Sequence, residues 1–317
     1  MAFFTKLSPA EVEAFLTEYD IGGLIECDGI TAGSENSNYR LRTTNGLYIL
    51  TLYEKRVRVD DLPFFLDLMK HLDGAGIRCP KPIAAKDGAA LRTLAKKKAA
   101  IFSFLDGHSV TVPESWHCKA LGTTLAEMHG ACADFQGTRA NDLSVAGWKR
   151  DFAKCREGAD TVQAGLRETI EHELEYLEPR WPTDLPKGVI HADLFPDNVF
   201  FVGDGVSGVI DFYFACTDFL AYDIAVCLNA WCFDDDRTFN FTKGERMLGA
   251  YQQVRALTAD EKKLLPILLR GAAMRFLITR LYDKLHPKGT NPKDPLAYLR
   301  RLAFHQNVKK PSMYGLR

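Results

Sequence analysis

No excess charge of either sign marks this 317-residue sequence: 40 Lys and Arg stand against 41 Asp and Glu. That balance argues against a nucleic-acid partner held by phosphate neutralisation, while allowing a local basic site for a small anion. No C-x-x-C pair occurs among the eight cysteines. The nearest two, Cys227 and Cys232, lie in apolar VCLNAWCF, so buried free thiols in a reducing cytosol are expected rather than a metal cage. No long apolar run is free of charge. The longest apolar helix candidate, Leu264 to Leu281, carries Arg270, Arg275 and Arg280 and should not span a membrane. The apolar start, MAFF, is too short for a secretory signal, and the expected location is the cytoplasm. Internal repeats, low-complexity tracts and the G-x-x-x-x-G-K-[ST] phosphate loop are also missing.

What is present is an ordinary soluble composition, 46% hydrophobic and 26% charged, in a chain long enough for two domains or one two-lobed unit. Ser8-Pro9 signals a helix start. Leu24 to Thr31, Asn38 to Thr43 and Leu47 to Tyr53 then read as strands, the last two joined by the hairpin signal Asn45-Gly46. Asp61 to Leu72 has the period of an amphipathic helix. Three further strands are expected over Ile83 to Ala85, Ala89 to Leu94 and Ala99 to Leu105. After a polar connector helix dominates: from Trp116, over Ser144 to Arg156, and over Asp160 to Leu177. VFFV and VSGVID form one embedded hairpin around Gly203-Asp204-Gly205, and helices resume from Ala221. The expectation is an α+β chain with a β-rich lobe at 1–105 and a helical lobe at 106–317.

The strongest chemical signal is His191-Ala192-Asp193-Leu194-Phe195-Pro196-Asp197-Asn198, an H-x-D-x-x-x-x-N pattern after an apolar strand. An aspartate there can accept a proton from an attacking hydroxyl and aim its oxygen. An amide oxygen five residues later can ligate magnesium beside phosphates. Shortly downstream, the strand Val206 to Ile210 ends in Asp211. A carboxylate at the end of a buried strand is costly unless it binds something, and the intervening hairpin is expected to bring Asn198 and Asp211 side by side as a metal pair. The segment Gly33-Ser34-Glu35-Asn36-Ser37-Asn38-Tyr39 lies between two predicted strands, where backbone N–H groups and hydroxyls can cradle anionic oxygens; taken alone it reads more readily as an ordinary hairpin turn. His129 reads as a surface or C-terminal residue of its helix, and Asp234-Asp235-Asp236 as a solvated acidic loop.

These segments, with LPFFLDLMKHL, GVIDFYFACTDFLAYDIAVCLNAWCF, LLRGAAMRFLITRLYD and NPKDPLAYLRRL, resemble the aminoglycoside-phosphotransferase and choline-kinase superfamily. The likeness is closer to the bacterial homoserine kinases built on that fold, and it runs from about Ser8 to Phe304. It implies a two-lobed protein-kinase-like fold, with an antiparallel sheet in the N-lobe and a helical C-lobe. It also implies transfer of the γ-phosphoryl group of ATP, with Mg²⁺, to L-homoserine on the route to threonine. Carried across, Asp193 is catalytic and Asn198 and Asp211 ligate the metal. Ser34, Asn36, Ser37 and Asn38 cover the phosphates. Ser103 and Leu105 line the adenine side, and Asp223 is the structural aspartate under the loop. Candidates for the amino-acid acceptor are Arg275 and Arg280 for its carboxylate, Asp218 and Asn229 for its amine, and Tyr213 for its wall. Thr51 occupies the place of the superfamily's phosphate-binding lysine, with Lys55 or Arg56 as replacements from the following turn. The alternatives are a sibling kinase for aminoglycosides, choline, ethanolamine or a methylthio-sugar, and a nucleotide-binding scaffold without catalysis.

Overall fold

A computed structural model describes residues 5–31, 36–54, 57–287, 292–308 and 310–316. Helix α1 (Pro9–Leu16) starts in a reciprocal capping box: the Glu11 N–H donates to the Ser8 hydroxyl, and the Ser8 N–H donates to the Glu11 carboxylate. Strands β1 (Leu24–Ile30), β2 (Ser37–Thr43) and β3 (Gly46–Leu52) follow as an antiparallel meander turning at Thr44 and Asn45. After helix α2 (Leu62–Gly74) come β4 (Pro82–Ile83), β5 (Arg92–Leu94) and β6 (Lys97–Ser103). The sheet order is β1-β2-β3-β6-β4, with β5 also on β6. The strand expected over Ala89 to Leu94 begins only at Arg92, and the one expected over Ile83 to Ala85 is Pro82–Ile83.

The pleat of this sheet sorts its residues by face. Tyr39, Leu41, Leu50, Leu52, Ala99 and Ile101 pack with Val12, Phe15 and Leu16 of α1 into one apolar core. By alternation Asn38, Ile49, Thr51 and Ala100 lie on the opposite face, where Asn38 pairs across the strands with Thr51.

Beyond Gly107 the described elements are mainly helical: α3 (Ser115–Ala131), α4 (Val145–Cys155), α5 (Ala159–Val162) and α6 (Leu166–Leu177). The single helix expected from Asp160 to Leu177 is therefore two. Gly165 adopts a left-handed φ of +76°, which no right-handed helix continues. Strands β7 (Lys187–Ile190), β8 (Val199–Val202), β9 (Gly205–Val209) and β10 (Cys216–Phe219) precede helices α7 (Leu220–Trp231), α8 (Phe241–Val254), α9 (Ala259–Leu285) and α10 (Leu296–Asn307). β8 pairs with β9, and β10 pairs antiparallel with β7. β10 was not anticipated, because CTDF shows no apolar alternation. Gly122 lets α3 approach α8 closely: a Cβ there would fall 2.2 Å from the Met247 carbonyl oxygen.

The chain forms two compact units. The first comprises residues to Gly107 and also takes Phe135–Gly137 and Ser207–Tyr213; the second comprises the rest. All eight cysteines are free thiols. Among the described residues no helix is long and apolar enough to cross a membrane.

Candidate active site

In the second unit, the pairing of β7 with β10 sets Ile190 opposite Cys216, and the chain leaves β7 at His191. The backbone of the next four residues is gripped from below. The Asp223 carboxylate, fully buried in the first turn of α7, accepts the N–H of His191 and the N–H of Ala192, each at 2.8 Å. From α9 the Arg275 guanidinium donates to the Ala192 carbonyl. The Asn198 amide donates to the Asp193 carbonyl at 2.8 Å, and the Trp231 indole donates to the Leu194 carbonyl at 2.7 Å. Ala192 is held at φ +63°, a left-handed turn that an alanine adopts only when its surroundings impose it. The fixed backbone on either side supplies that constraint and so sets the direction of Asp193.

Asp223 is itself supported. His129 Nε2 lies 3.2 Å from its Oδ2, and His129 Nδ1 lies 2.8 Å from the Tyr251 hydroxyl. Burial pushes the Asp223 carboxyl up, but the His129 hydrogen bond, the charges of His129 and His191 and the His191 N–H outweigh it, and its pKa falls below the ordinary value. This corrects the reading of His129 as a surface residue: it is buried. The signal was available, because Cys118, Gly122, Leu125 and His129 recur at helical spacing on the buried face of α3.

The Asp193 side chain is 18% exposed, with Oδ1 3.7 Å from Arg275 Nη2. Burial raises its pKa; Arg275, His191 and Lys293 oppose the rise without cancelling it, and Asp197 adds to it. A carboxylate so placed is a stronger base than one in water. Because the Asn198 Nδ2 is engaged by the Asp193 carbonyl, its Oδ1 is the atom left to face a ligand. Among the described residues no group of three His, Cys, Asp or Glu side chains forms a metal cage. Magnesium needs none, since it takes one or two protein oxygens and the phosphates of its nucleotide. The hard oxygens of Asn198 and Asp211 are of the right kind.

In the first unit, Asp211 follows β9 at φ +65°, a second non-glycine residue held left-handed. Tyr213 belongs to an aromatic cluster: its ring meets Tyr53 at 5.4 Å and Phe65 at 5.6 Å, both edge-on, and its hydroxyl donates to the Tyr53 hydroxyl. Its ring is thus packed within the β-unit rather than free to wall an acceptor. Ser34, Lys55 and Arg56 lie outside the described residues. Asn36 Oδ1 accepts the Glu54 N–H, and the Ser37 hydroxyl donates to the Glu54 carboxylate. The Asn36 side-chain carbonyl oxygen and the Ser37 hydroxyl thus tie the loop to the end of β3. Asn38 differs: Thr51 donates its hydroxyl to the Asn38 Oδ1 at 2.8 Å, leaving Nδ2 as a donor. Lys97 does not stand in for the missing lysine. It is paired with Glu54, and by alternation both lie on the α1 face, opposite Thr51. The Ser103 hydroxyl accepts the Lys81 N–H, and its own N–H donates to the Lys81 carbonyl, while Leu105 packs against Gly208.

The acceptor candidates separate clearly. Arg275, 2% exposed, is engaged by the loop backbone and Asp193, so it is a brace rather than an open carboxylate site. Asn229 is fully buried; its amide donates to the Ala225 and Leu269 carbonyls, and its Oδ1 meets His305 Nε2. All its polar side-chain atoms are thereby used in joining α7, α9 and α10, which removes it from the amine side. Asp218 accepts from the Asn141 amide at 2.7 Å and from the Phe219 N–H. Arg280 alone of the five is a half-buried charge without an acidic partner among the described residues: it donates to the Asp294 carbonyl and stacks on Tyr298 at 4.6 Å. The acidic run is not a free anionic surface. Asp234 pairs with Lys243, and Asp236 with Arg300 and Arg301.

Comparison with known proteins agrees with this geometry. Residues 26–257 match the model of the phosphotransferase enzyme family (APH). A homoserine kinase of Xanthobacter autotrophicus is 56% identical over 319 residues, covering 100% of this chain and 99% of that protein. A homoserine kinase of Rhodospirillum rubrum is 56% identical with the same coverage. Among solved structures, an amicoumacin kinase in complex with AMP-PNP, Ca²⁺ and its antibiotic superposes with a TM-score of 0.70 at 16% identity, over 98% of this chain and 93% of that one; it bears on the fold alone. The expected two-lobed α+β, protein-kinase-like architecture is therefore confirmed, and the chain belongs to the phosphotransferase enzyme family, in its homoserine-kinase branch.

Proposed function

We propose that this protein is an ATP-dependent homoserine kinase that transfers the γ-phosphoryl group to the side-chain hydroxyl of L-homoserine, giving O-phosphohomoserine and ADP. The observation that carries the reading is the full-length 56% identity to homoserine kinases. Asp193 accepts the hydroxyl proton and directs the oxygen in line with the γ-phosphorus. The new O–P bond forms as the bond to the β-phosphate oxygen breaks, and ADP leaves with those electrons. Asn198 Oδ1 and the Asp211 carboxylate would hold Mg²⁺, which supplies charge neutralisation to the phosphates when bound with ATP. Asn38 offers its Nδ2, oriented by Thr51, where the superfamily uses a lysine. The chemistry asks the protein mainly for alignment and charge placement, and a catalytic aspartate on a loop braced by three helices provides alignment.

A pocket for polycationic antibiotics should present unpaired acids. The neutralisation of Asp234 and Asp236 by Lys243, Arg300 and Arg301 weighs against that sibling activity. The test is ADP release with L-homoserine, choline, ethanolamine and an aminoglycoside, in wild type and in Asp193→Ala. Preference for homoserine, abolished in the variant while ATP still binds, is expected. Normal turnover by Asp193→Ala, or preference for another acceptor, overturns the proposal.

A further inference from the structure

We propose that Arg280 is the acceptor-carboxylate anchor, held on the Tyr298 ring and joined by the Tyr298 hydroxyl as a second donor. The inference rests on the homoserine-kinase reading and deepens it by naming what distinguishes an amino-acid acceptor from a plain amino alcohol.

The first support is charge: the other cations near this end of α9 and α10 are neutralised. Arg270 has Glu173, Arg300 has Asp236 and Asp294, Arg301 has Asp236 and the Asn229 carbonyl, Lys243 has Asp234, and Lys293 has Asp197. Arg275 has Asp193 and the Ala192 carbonyl. Arg280 has only the Asp294 carbonyl, at 3.3 Å. Burial pushes its pKa down, with the Arg301 charge adding to it, against the pull of Tyr298, Asp236 and Asp193, and among the described residues no acid forms an ion pair with it. Such a charge is unfavourable until something compensates it.

The second support is Tyr298. It is 0% exposed, and its buried hydroxyl has no hydrogen-bond partner among the described residues. Its ring lies 4.6 Å from the Arg280 guanidinium and 4.7 Å from that of Arg301, which is fixed by Asp236 and Asn229. The hydroxyl and the guanidinium, neither with an acid partner among the described residues, are two donors suited to one carboxylate, which the planar arginine fork can engage with both oxygens.

The third support is position. The Arg280 guanidinium is 5.9 Å from the ring of Phe195, two residues past Asp193. The cation therefore sits beside the loop that carries the base, not on it, as a substrate with hydroxyl and carboxylate at opposite ends requires. Choline and ethanolamine offer no group to this site.

The test compares L-homoserine with 3-aminopropan-1-ol, which keeps hydroxyl and amine and lacks the carboxylate, in wild type, Arg280→Gln, Arg280→Lys and Tyr298→Phe. Losing a buried charged contact should cost Arg280→Gln about 30-fold or more in KM for homoserine. KM for ATP should stay within about twofold, and kcat/KM for 3-aminopropan-1-ol should fall less than about threefold. Arg280→Lys should be intermediate, and Tyr298→Phe should lose about three- to tenfold with homoserine only. If wild type does not turn over the amino alcohol, its inhibition constant against homoserine replaces kcat/KM and should be unchanged in Arg280→Gln. An unchanged KM for homoserine in Arg280→Gln, or equal losses with both acceptors, overturns the assignment while leaving the kinase reading intact. A wild type whose preferred acceptor has no carboxylate overturns both.

Discussion

Replacing Asp223 by asparagine tests whether the loop that carries Asp193 is held in the way its geometry indicates. The wild-type carboxylate accepts three hydrogen bonds inside the protein: two backbone N–H groups at 2.8 Å and His129 at 3.2 Å. Asparagine keeps one acceptor oxygen and turns an NH2 group toward one of these donors, so at least one buried N–H loses its partner. Breaking a buried, hydrogen-bonded charge network of this kind costs about 3–5 kcal/mol. For a unit of this size each kcal/mol lowers Tm by roughly 2–4 °C, so a fall of about 10 °C is expected. The same change frees the backbone at His191 and Ala192, and a displacement of Asp193 by an ångström would lower kcat about 100-fold. The folded-state pKa of Asp223 is depressed. Its contribution to stability is therefore present above the unfolded carboxylate value, and is lost as pH falls through the lower folded one. The stability gap between wild type and Asp223→Asn should accordingly persist across neutral pH and close only in strong acid. Thermal denaturation from neutral pH down into strong acid, with kcat and KM for ATP near neutral pH, measures all of this. A variant within about 2 °C in Tm and threefold in kcat would refute the reasoning.

Three shorter expectations follow from other contacts. Thr51→Val removes the hydroxyl that orients Asn38; the loss of about 0.5–1.5 kcal/mol should raise KM for ATP roughly three- to tenfold, with KM for homoserine unchanged. His305, buried between Tyr314 and Asn229, has a pKa pushed down to about 3 by burial and then by the Arg301 and Arg270 charges. Its neutral form is the folded one, so it destabilises the fold as pH drops below about 6.5, where the unfolded chain binds its proton; urea midpoints at pH 7.5 and pH 5 should differ less in His305→Gln than in wild type. Gly122→Ala would press a methyl group against the Met247 carbonyl; overpacking of about 1–3 kcal/mol should appear as a lower urea midpoint, and an unchanged midpoint would show that α3 and α8 can separate freely.

The two-lobed architecture was legible because its signals are local. Asn45-Gly46 names a hairpin, apolar alternation names β2 and β3, and the sequence around Asp193 names a loop type. The break between α5 and α6 was less so: Gly165 carries no sign of its φ, and the flanking residues are good helix formers. β10 exists because β7 needs an antiparallel partner, a tertiary cause that CTDF does not express. The side chains of Asn36 and Ser37 illustrate another limit. Small polar residues in a loop suit phosphate binding and loop anchoring equally, and only the position of Glu54 decides for anchoring.

Arg275 and Arg280 show what more could have been drawn from sequence, and where that ends. Five residues apart on one helix, they point in directions that differ by roughly 140°, so they could never have served one ligand side by side. Helical phase alone predicts that one faces the loop and the other does not. It does not say which, because both lie in the same apolar stretch. What decides is the inventory of charges around each head group. Arg275 meets a carbonyl and the Asp193 carboxylate and is thereby fixed as part of the scaffold. The acids around Arg280 are paired elsewhere: Asp236 and Asp294 with Arg300 and Arg301 of the next helix, and Asp193 with Arg275. A cation becomes a recognition site when its neighbours leave it unneutralised, and that condition belongs to the fold rather than to the residue.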